Sequence, residues 1–185
     1  MRRLTNINPV SLVESVARLE ADGTRAAVVG GGTDLLGMLK DDLAPAEVLI
    51  NLNGLRDRGS LDRVEIEADG ICVGGLVTLT QLSRHPLVGG EYRVLAEAAG
   101  SAATPQIRNV GTIAGNICQR PWCWYFRQNF PCYKHGGNRC FSRLGENEFN
   151  AIFGGGPSYI VHPSDTAPAL IALGASFRIV GPAGE

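Results

Sequence analysis

The sequence predicts an α+β fold with two lobes and a loop-rich insertion. Short apolar strand patterns alternate with helix patterns, glycine-rich bends follow several of them, and a cysteine-rich segment interrupts the alternation. The chain has 185 residues, 44% of them hydrophobic, which suffices for one globular domain or two small lobes. We assign residues 1–55 to the first lobe and 56–185 to the second, with the insertion at about 118–150.

The first lobe is predicted to contain two helices and two strands. Residues 11–14 have the Ser-x-x-Glu pattern of a capping box, and an apolar repeat of helical spacing follows until Asp22-Gly23. The apolar run at 26–29 predicts a buried strand, and 47–51 predicts another. A second helix is expected from residue 35.

The second lobe is predicted to begin with a hairpin and to continue with helices. Residues 64–73 alternate apolar and acidic side chains around an Asp-Gly turn, which is typical of a β-hairpin. Residues 78–83 and 91–99 have helical patterns, and an Ala/Leu-rich helix is expected up to Leu173. The apolar residues at 177–179 predict a final strand.

The run Gly30-Gly31-Gly32-Thr33-Asp34 lies between a predicted strand and a predicted helix. Bare backbone at such a bend can approach a ligand closely, and its N–H groups can bind one anion. The Rossmann fingerprint is absent because Leu35 replaces its third glycine, and the Gly-Lys-Ser/Thr ending of a P-loop is absent too. The pattern therefore favours a pyrophosphate site, with a plain tight turn as the alternative.

Two further polar bends occur later in the chain. Residues 104–116 begin with Thr-Pro and are rich in Gly, Thr and Asn, which predicts a functional loop able to hydrogen bond a phosphate or a ring edge. His162-Pro163-Ser164-Asp165 is a polar turn before a helix. Ser164 or Asp165 can equally be a helix N-cap.

Four of the five cysteines lie within residues 118–140, with the spacing C-x4-C-x8-C-x7-C. This segment also holds six aromatic residues, four basic residues and no acidic residue. Thiolates bind iron or zinc, and nearby cations offset their charge. The irregular spacing favours an iron–sulfur cluster over zinc, with unligated thiols as a third option. Cys72, between two apolar strand residues, is expected to pack in the core.

Charge and hydropathy restrict the classes of partner. The net charge of -1 gives no general attraction to nucleic acid or to anionic membranes. No apolar run approaches the roughly 20 residues that span a bilayer. Clustered cysteines in a chain of this length favour a reducing compartment, so we predict the cytoplasm, with the periplasm as the alternative if an exported partner carries the chain.

The three bends together resemble the FAD-binding medium subunit of the molybdenum hydroxylases, a family that includes xanthine dehydrogenases, aldehyde oxidoreductases and hydroxybenzoyl-CoA reductases. The resemblance rests on VGGGTDL at 29–35, RNVGTIAGNI at 108–117 and HPSD at 162–165. It implies two α+β lobes with FAD between them and the FAD pyrophosphate at the first bend. The implied FAD contacts are Val29, Gly30, Gly31, Gly32, Thr33, Asp34, Leu35, Ala103, Thr112, Gly115, Asn116, Ser164 and Asp165.

The resemblance also bears on the cysteines, because one subset of the family carries a four-iron (4Fe-4S) cluster in an insertion after the second bend. Cys123, Cys132 and Cys140 match three of its ligand positions, and Ser158 occupies the position of the fourth. We predict that Cys118 replaces the fourth ligand. Ligation by the Ser158 oxygen, or a missing cluster, are the alternatives.

The function implied by this resemblance is that of the flavin subunit of a multi-subunit molybdenum-dependent oxidoreductase. A molybdopterin-binding large subunit oxidises the substrate, a small subunit with two 2Fe-2S clusters relays electrons, and FAD passes them to an acceptor. No residue of this chain is assigned a catalytic role. Family members are longer, so the C-terminal lobe is expected to be absent here. The alternative is a non-catalytic module that binds zinc or single-stranded nucleic acid through the cysteine loop.

Overall fold

The computed structural model describes residues 3–56 and 60–184. The outermost residues of the two predicted lobes, 1–2 and 185, and residues 57–59 at their boundary lie outside the described residues. The described parts combine helices with two small sheets, as predicted for an α+β fold. None of the described helices is long and apolar enough to cross a bilayer.

The N-terminal part contains a three-stranded parallel sheet. Its strands are β1 (Thr5–Ile7), β2 (Ala26–Val29) and β3 (Val48–Asn51), in the order β1-β3-β2. The sequence predicted β2 and β3 but not β1, because three residues with a single apolar side chain carry almost no strand signal. Pairing with the central strand β3, from Thr5↔Val48 to Ile7↔Ile50, forms β1.

Helix α1 (Leu12–Asp22) forms where its capping signals predict it. The Ser11 hydroxyl accepts a hydrogen bond from the Glu14 N–H, and the Glu14 carboxylate accepts one from the Val10 N–H. The helix ends at Gly23, whose positive φ of 53° suits glycine. After β2 the chain bends and enters α2 (Leu35–Lys40), which is also confirmed.

The second part contains an antiparallel hairpin and a group of packed helices. The hairpin consists of β4 (Val64–Glu67) and β5 (Gly70–Val73), as predicted. The helices that pack beside it are α3 (Leu79–Arg84), α4 (Pro86–Glu91) and α5 (Arg93–Ser101). The prediction of one helix over 91–99 is partly wrong, because a helix that starts at Pro86 ends at Glu91 and the next starts at Arg93. Leu82, Val88 and Ala99 form the centre of this core.

The second polar bend and the cysteine segment contain only very short helices. The predicted loop at 104–116 contains α6 (Pro105–Arg108) and the start of α7 (Ile113–Ile117). The cysteine segment contains α8 (Trp124–Arg127) and two single 3-10 turns, at Tyr133–His135 and Phe141–Arg143. Helix α9 (Ala167–Ala172) follows the third polar bend.

The predicted strand through Phe177 and Ile179 is wrong. These residues belong to no strand, and their side chains are 59% and 78% exposed. Alternating apolar residues favour an extended chain, but a strand also needs a neighbour to complete its hydrogen bonds. In the part of the chain that the structure describes, the only bridge near this segment joins Gly181 and Gly184.

Candidate functional site

The first glycine bend offers unused hydrogen-bond donors. It connects the end of β2 to the start of α2, and Gly32 has a positive φ of 70°. Within residues 3–56 and 60–184, the backbone N–H groups of Gly31, Gly32 and Thr33 donate to no protein acceptor. Three free donors on consecutive residues are suited to bind an anionic oxygen group.

The second bend packs directly against the first. A Cβ atom built on Gly31 would overlap the Val110 carbonyl oxygen and would lie 2.9 Å from the Gly111 Cα. A Cβ atom on Gly30 would lie 3.1 Å from the Thr112 hydroxyl oxygen. Glycine is therefore required at Gly31 by the close approach of two backbones.

The third bend is joined to the second through Asn116, which is buried. Its side-chain oxygen accepts hydrogen bonds from the Ser164 hydroxyl at 2.7 Å and from the Thr166 hydroxyl at 2.8 Å. Its side-chain nitrogen donates to the Asp165 carboxylate at 3.1 Å. The structure thus brings together all three bends that the sequence singles out, with the second bend touching both others.

Several residues predicted to contact FAD form hydrogen bonds within the protein. Asn116 and Ser164 bond to each other, and the Thr112 hydroxyl accepts the Gly115 N–H at 3.1 Å as the N-cap of α7. These groups hold the bends in place. Ala103 lies at the bend before α6 with a positive φ of 42°, and its carbonyl oxygen accepts a hydrogen bond from Arg108. Direct contact of these residues with FAD stays a prediction.

Asp34 links the first bend to the cysteine segment. The sequence did not reveal this contact. One carboxylate oxygen accepts a hydrogen bond from the Arg127 guanidinium at 2.7 Å, and the other accepts the Arg120 N–H at 2.9 Å. The Asp34 and Arg127 side chains are only 12% and 13% exposed. The one available signal was the excess of cations in residues 118–140, which implied an acidic partner elsewhere.

Breaking this ion pair should destabilise the protein. Asp34→Asn leaves the Arg127 guanidinium poorly solvated and without a carboxylate, so we expect the free energy of unfolding to fall by about 1.5 to 3 kcal/mol. Glu97→Gln is the matched control, because it breaks the exposed Arg93–Glu97 pair and should cost less than about 0.5 kcal/mol. Urea unfolding measures both. Equal effects of the two substitutions would contradict a stabilising role for Asp34.

Three of the four clustered cysteines line one cavity. Cys123 and Cys132 are buried, Cys140 is half-buried, and Ser158 lines the same space. The cavity is small, with a volume of about 20 Å³. The other lining residues are Pro121, Tyr125, Phe126, Lys134, Phe141, Ser142 and Ile160. Three cysteine side chains thus share one space with aromatic rings and one lysine, and their role as metal ligands stays a prediction.

Hydrogen bonds reach two of these sulfur atoms. The Tyr159 N–H donates to the Cys140 sulfur at 3.4 Å, and the Asn150 side chain lies 3.7 Å from the Cys123 sulfur as a donor. Burial alone would raise the pKa of the Cys140 thiol, but hydrogen bonds from Ser142, Tyr159 and the local backbone outweigh burial and lower that pKa. The thiolate, which is the form that binds metals, is thereby favoured.

The structure does not bring Cys118 to this cavity. Cys118 follows the last residue of α7, its backbone N–H donates to the Ala114 carbonyl, and the residue is exposed. Ser158 lines the cavity and Cys118 does not, and the identity of a fourth ligand stays a prediction. Cys72 lies half-buried in β5 and does not join its neighbours Ile71 and Val73 in packing against the described hydrophobic core, so the expectation of core packing is wrong. Among the described residues, no three His, Cys, Asp or Glu lie close enough to share one metal ion.

Comparisons with known proteins agree with the resemblance. A curated relative, the aldehyde oxidoreductase FAD-binding subunit PaoB of Escherichia coli (strain K12), is 37% identical over 164 residues, which cover 86% of this chain and 50% of the relative. The nicotinate dehydrogenase FAD-subunit of Eubacterium barkeri is 37% identical over 91 residues, 49% of this chain and 30% of the relative.

Solved structures give the same result. Carbon monoxide dehydrogenase from Hydrogenophaga pseudoflava, in a form that lacks the Mo-pyranopterin moiety of its cofactor, matches with a TM-score of 0.59 and 35% identity. The match covers 63% of this chain and 39% of that chain. Our chain thus spans half or less of the length of these relatives. The family described as "FAD binding domain in molybdopterin dehydrogenase" matches residues 2–185, and the chain therefore belongs to this family of FAD-binding domains.

Proposed function

We propose that this chain is the flavin-binding part of a multi-subunit molybdenum-dependent oxidoreductase, in which FAD passes electrons from iron–sulfur clusters to an external acceptor. The observation that carries the proposal is the row of free N–H groups at Gly31, Gly32 and Thr33, placed where three separate bends meet. The FAD supplies the redox chemistry when bound. The chain supplies binding and orientation.

The three bends divide this task. The free N–H groups of the first bend bind the FAD pyrophosphate, because peptide donors at a strand-to-helix bend suit an anion. The second bend, pressed against Gly31, sets the position of the first. The Asn116 network attaches the third bend to the second, with Asp165 hydrogen bonded to Asn116. No side chain of this chain takes or gives a proton in the proposal.

The partners follow from the relatives. PaoB is the FAD-binding subunit of an aldehyde oxidoreductase, and the Hydrogenophaga pseudoflava protein has a medium chain among its subunits. We propose that this chain likewise joins a molybdopterin-binding large subunit and a small subunit with two 2Fe-2S clusters.

The described residues support lobes at 1–55 and 56–185, because the parallel sheet lies within 5–51. We propose the cytoplasm over the periplasm, because clustered cysteines in a chain of this length favour a reducing compartment.

We also propose that the cysteine-lined cavity holds a four-iron (4Fe-4S) cluster. The support is the donor chemistry, because Cys123, Cys132 and Cys140 line one space together with aromatic rings. Each ligand of such a cluster binds a different iron, so the ligands lie farther apart than those of a single ion. The zinc or single-stranded nucleic-acid alternative gains no support from the relatives, which are FAD subunits of dehydrogenases.

The flavin proposal is tested on the assembled, full-length protein purified with its partner subunits. We expect about one FAD per chain after denaturing release, together with a flavin absorption band in the native protein. Release of the cofactor followed by chromatography distinguishes FAD from FMN. A protein that is colourless after mild isolation, with no flavin in the released fraction, would contradict the proposal.

A further inference from the structure

Arg127 lies where the cysteine segment contacts the first glycine bend. Its guanidinium donates to the Asp34 carboxylate at 2.7 Å, and the two side chains are nearly buried, at 13% and 12% exposure. Asp34 directly follows Thr33, whose N–H is one of the three free donors of the bend. A carboxylate therefore lies next to the proposed pyrophosphate site, and the Arg127 guanidinium is paired with it.

The Arg127 side chain is held in place by its own segment. Its Nε atom donates to the Pro121 carbonyl at 2.9 Å, and one of its terminal nitrogens donates to the Arg120 carbonyl at 3.0 Å. The guanidinium also lies over the Trp122 ring, 4.3 Å from the ring centroid. These contacts fix the guanidinium before any ligand binds, so the fold sets its position relative to Asp34.

A buried apolar contact joins the same two regions. Met38 of α2 packs with Cys123 and Phe126 of the cysteine segment, and all three side chains are buried. Helix α2 begins directly after the first bend, and Met38 lies about one turn beyond Asp34. The cysteine segment thus supports the first bend at two points, through the ion pair and through Met38.

The ion pair determines the charge that an anionic ligand meets at the first bend. The FAD pyrophosphate is negatively charged, and an unpaired carboxylate beside it would repel it. Salt screens such repulsion only weakly when the charges are nearly buried. The positive charge of Arg127 offsets that of Asp34, so the free N–H groups face the anion without a competing negative charge.

We propose, on the basis of the flavin-binding function proposed above, that Arg127 is a positioning residue for FAD. It acts through Asp34, by neutralising the carboxylate beside the pyrophosphate and by fixing the start of α2. The cysteine segment therefore contributes to flavin affinity from outside the three bends. This role requires no metal in the segment.

The test measures FAD affinity by titration calorimetry, in the full-length protein with its partner subunits after removal of the flavin. We expect Arg127→Gln to weaken FAD binding by about tenfold or more, because the Asp34 carboxylate is left unpaired. Arg127→Lys keeps the charge and should weaken binding by less than about threefold. The double variant Asp34→Asn/Arg127→Gln removes the repelling charge and should bind within about threefold of the wild type.

Arg93→Gln is the matched control, because it breaks the exposed Arg93–Glu97 pair in α5 and should change FAD affinity by less than about twofold. Wild-type affinity in Arg127→Gln would overturn the role of Arg127. If Arg127→Gln does not fold, the double variant decides, since a tenfold loss of affinity there would also overturn it. A wild-type protein that binds no FAD would instead overturn the proposed function.

Discussion

Replacement of Gly31 by alanine is expected to abolish flavin binding and to destabilise the protein. The new methyl group would overlap the Val110 carbonyl oxygen and lie 2.8 Å from the carbonyl carbon, and both atoms belong to the backbone of the second bend. A backbone cannot move aside as a flexible side chain can, so the first two bends must separate. We expect a loss of about 3 kcal/mol in the free energy of unfolding, and flavin content reduced by more than about tenfold.

Gly37→Ala is the matched control for this prediction. Gly37 lies in α2, six residues further along the chain, and a Cβ atom there meets nothing within 4 Å. Alanine in a helix interior is favoured over glycine, so this variant should gain about 0.5 to 1 kcal/mol and keep its flavin. Flavin release and thermal unfolding measure both variants. Normal flavin content in Gly31→Ala would contradict the close approach of the two bends as a requirement for binding.

Removal of one cavity cysteine is expected to have the second large effect. In Cys123→Ala or Cys132→Ala, the proposed cluster would lose one buried protein ligand that solvent does not replace easily. On the cluster proposal we expect iron to fall from about four to below about one per chain, because the cluster would also hold together a segment with little regular structure. Alanine is used because serine can itself bind iron through oxygen.

Cys118→Ala is the matched control for these two variants, since the same chemical change is made outside the cavity. It should retain the iron, the acid-labile sulfide and the visible absorption of the wild type. Iron and sulfide analyses after oxygen-free purification measure all three variants. If Cys123→Ala and Cys132→Ala keep full iron, the cavity is not the cluster site.

Features with local signals could be predicted from the sequence. Helix α1 carries its start signal in Ser11 and Glu14 and its stop signal in Gly23, and the structure uses all three. The hairpin of β4 and β5 was likewise fixed by its alternation and its Asp-Gly turn. The three bends were recognisable because glycine and small polar residues are required where backbones approach closely.

Features that depend on distant partners could not be predicted in the same way. Strand β1 exists only because β3 lies beside it, and the segment through Phe177 and Ile179 lacks such a neighbour among the described residues. The contact of Asp34 with Arg127 joins residues far apart in sequence, so spacing gave no indication of it. For the same reason the sequence did not show that Cys118 lies outside the cavity lined by Cys123, Cys132 and Cys140.

The most direct test of the account is a crystal structure of the full-length subunit, in its complex, with FAD bound. We expect the pyrophosphate to accept hydrogen bonds from the backbone N–H groups of Gly31, Gly32 and Thr33, at about 2.7 to 3.2 Å. The second and third bends should remain joined through Asn116. A pyrophosphate bound elsewhere, with these three N–H groups facing solvent, would contradict the account.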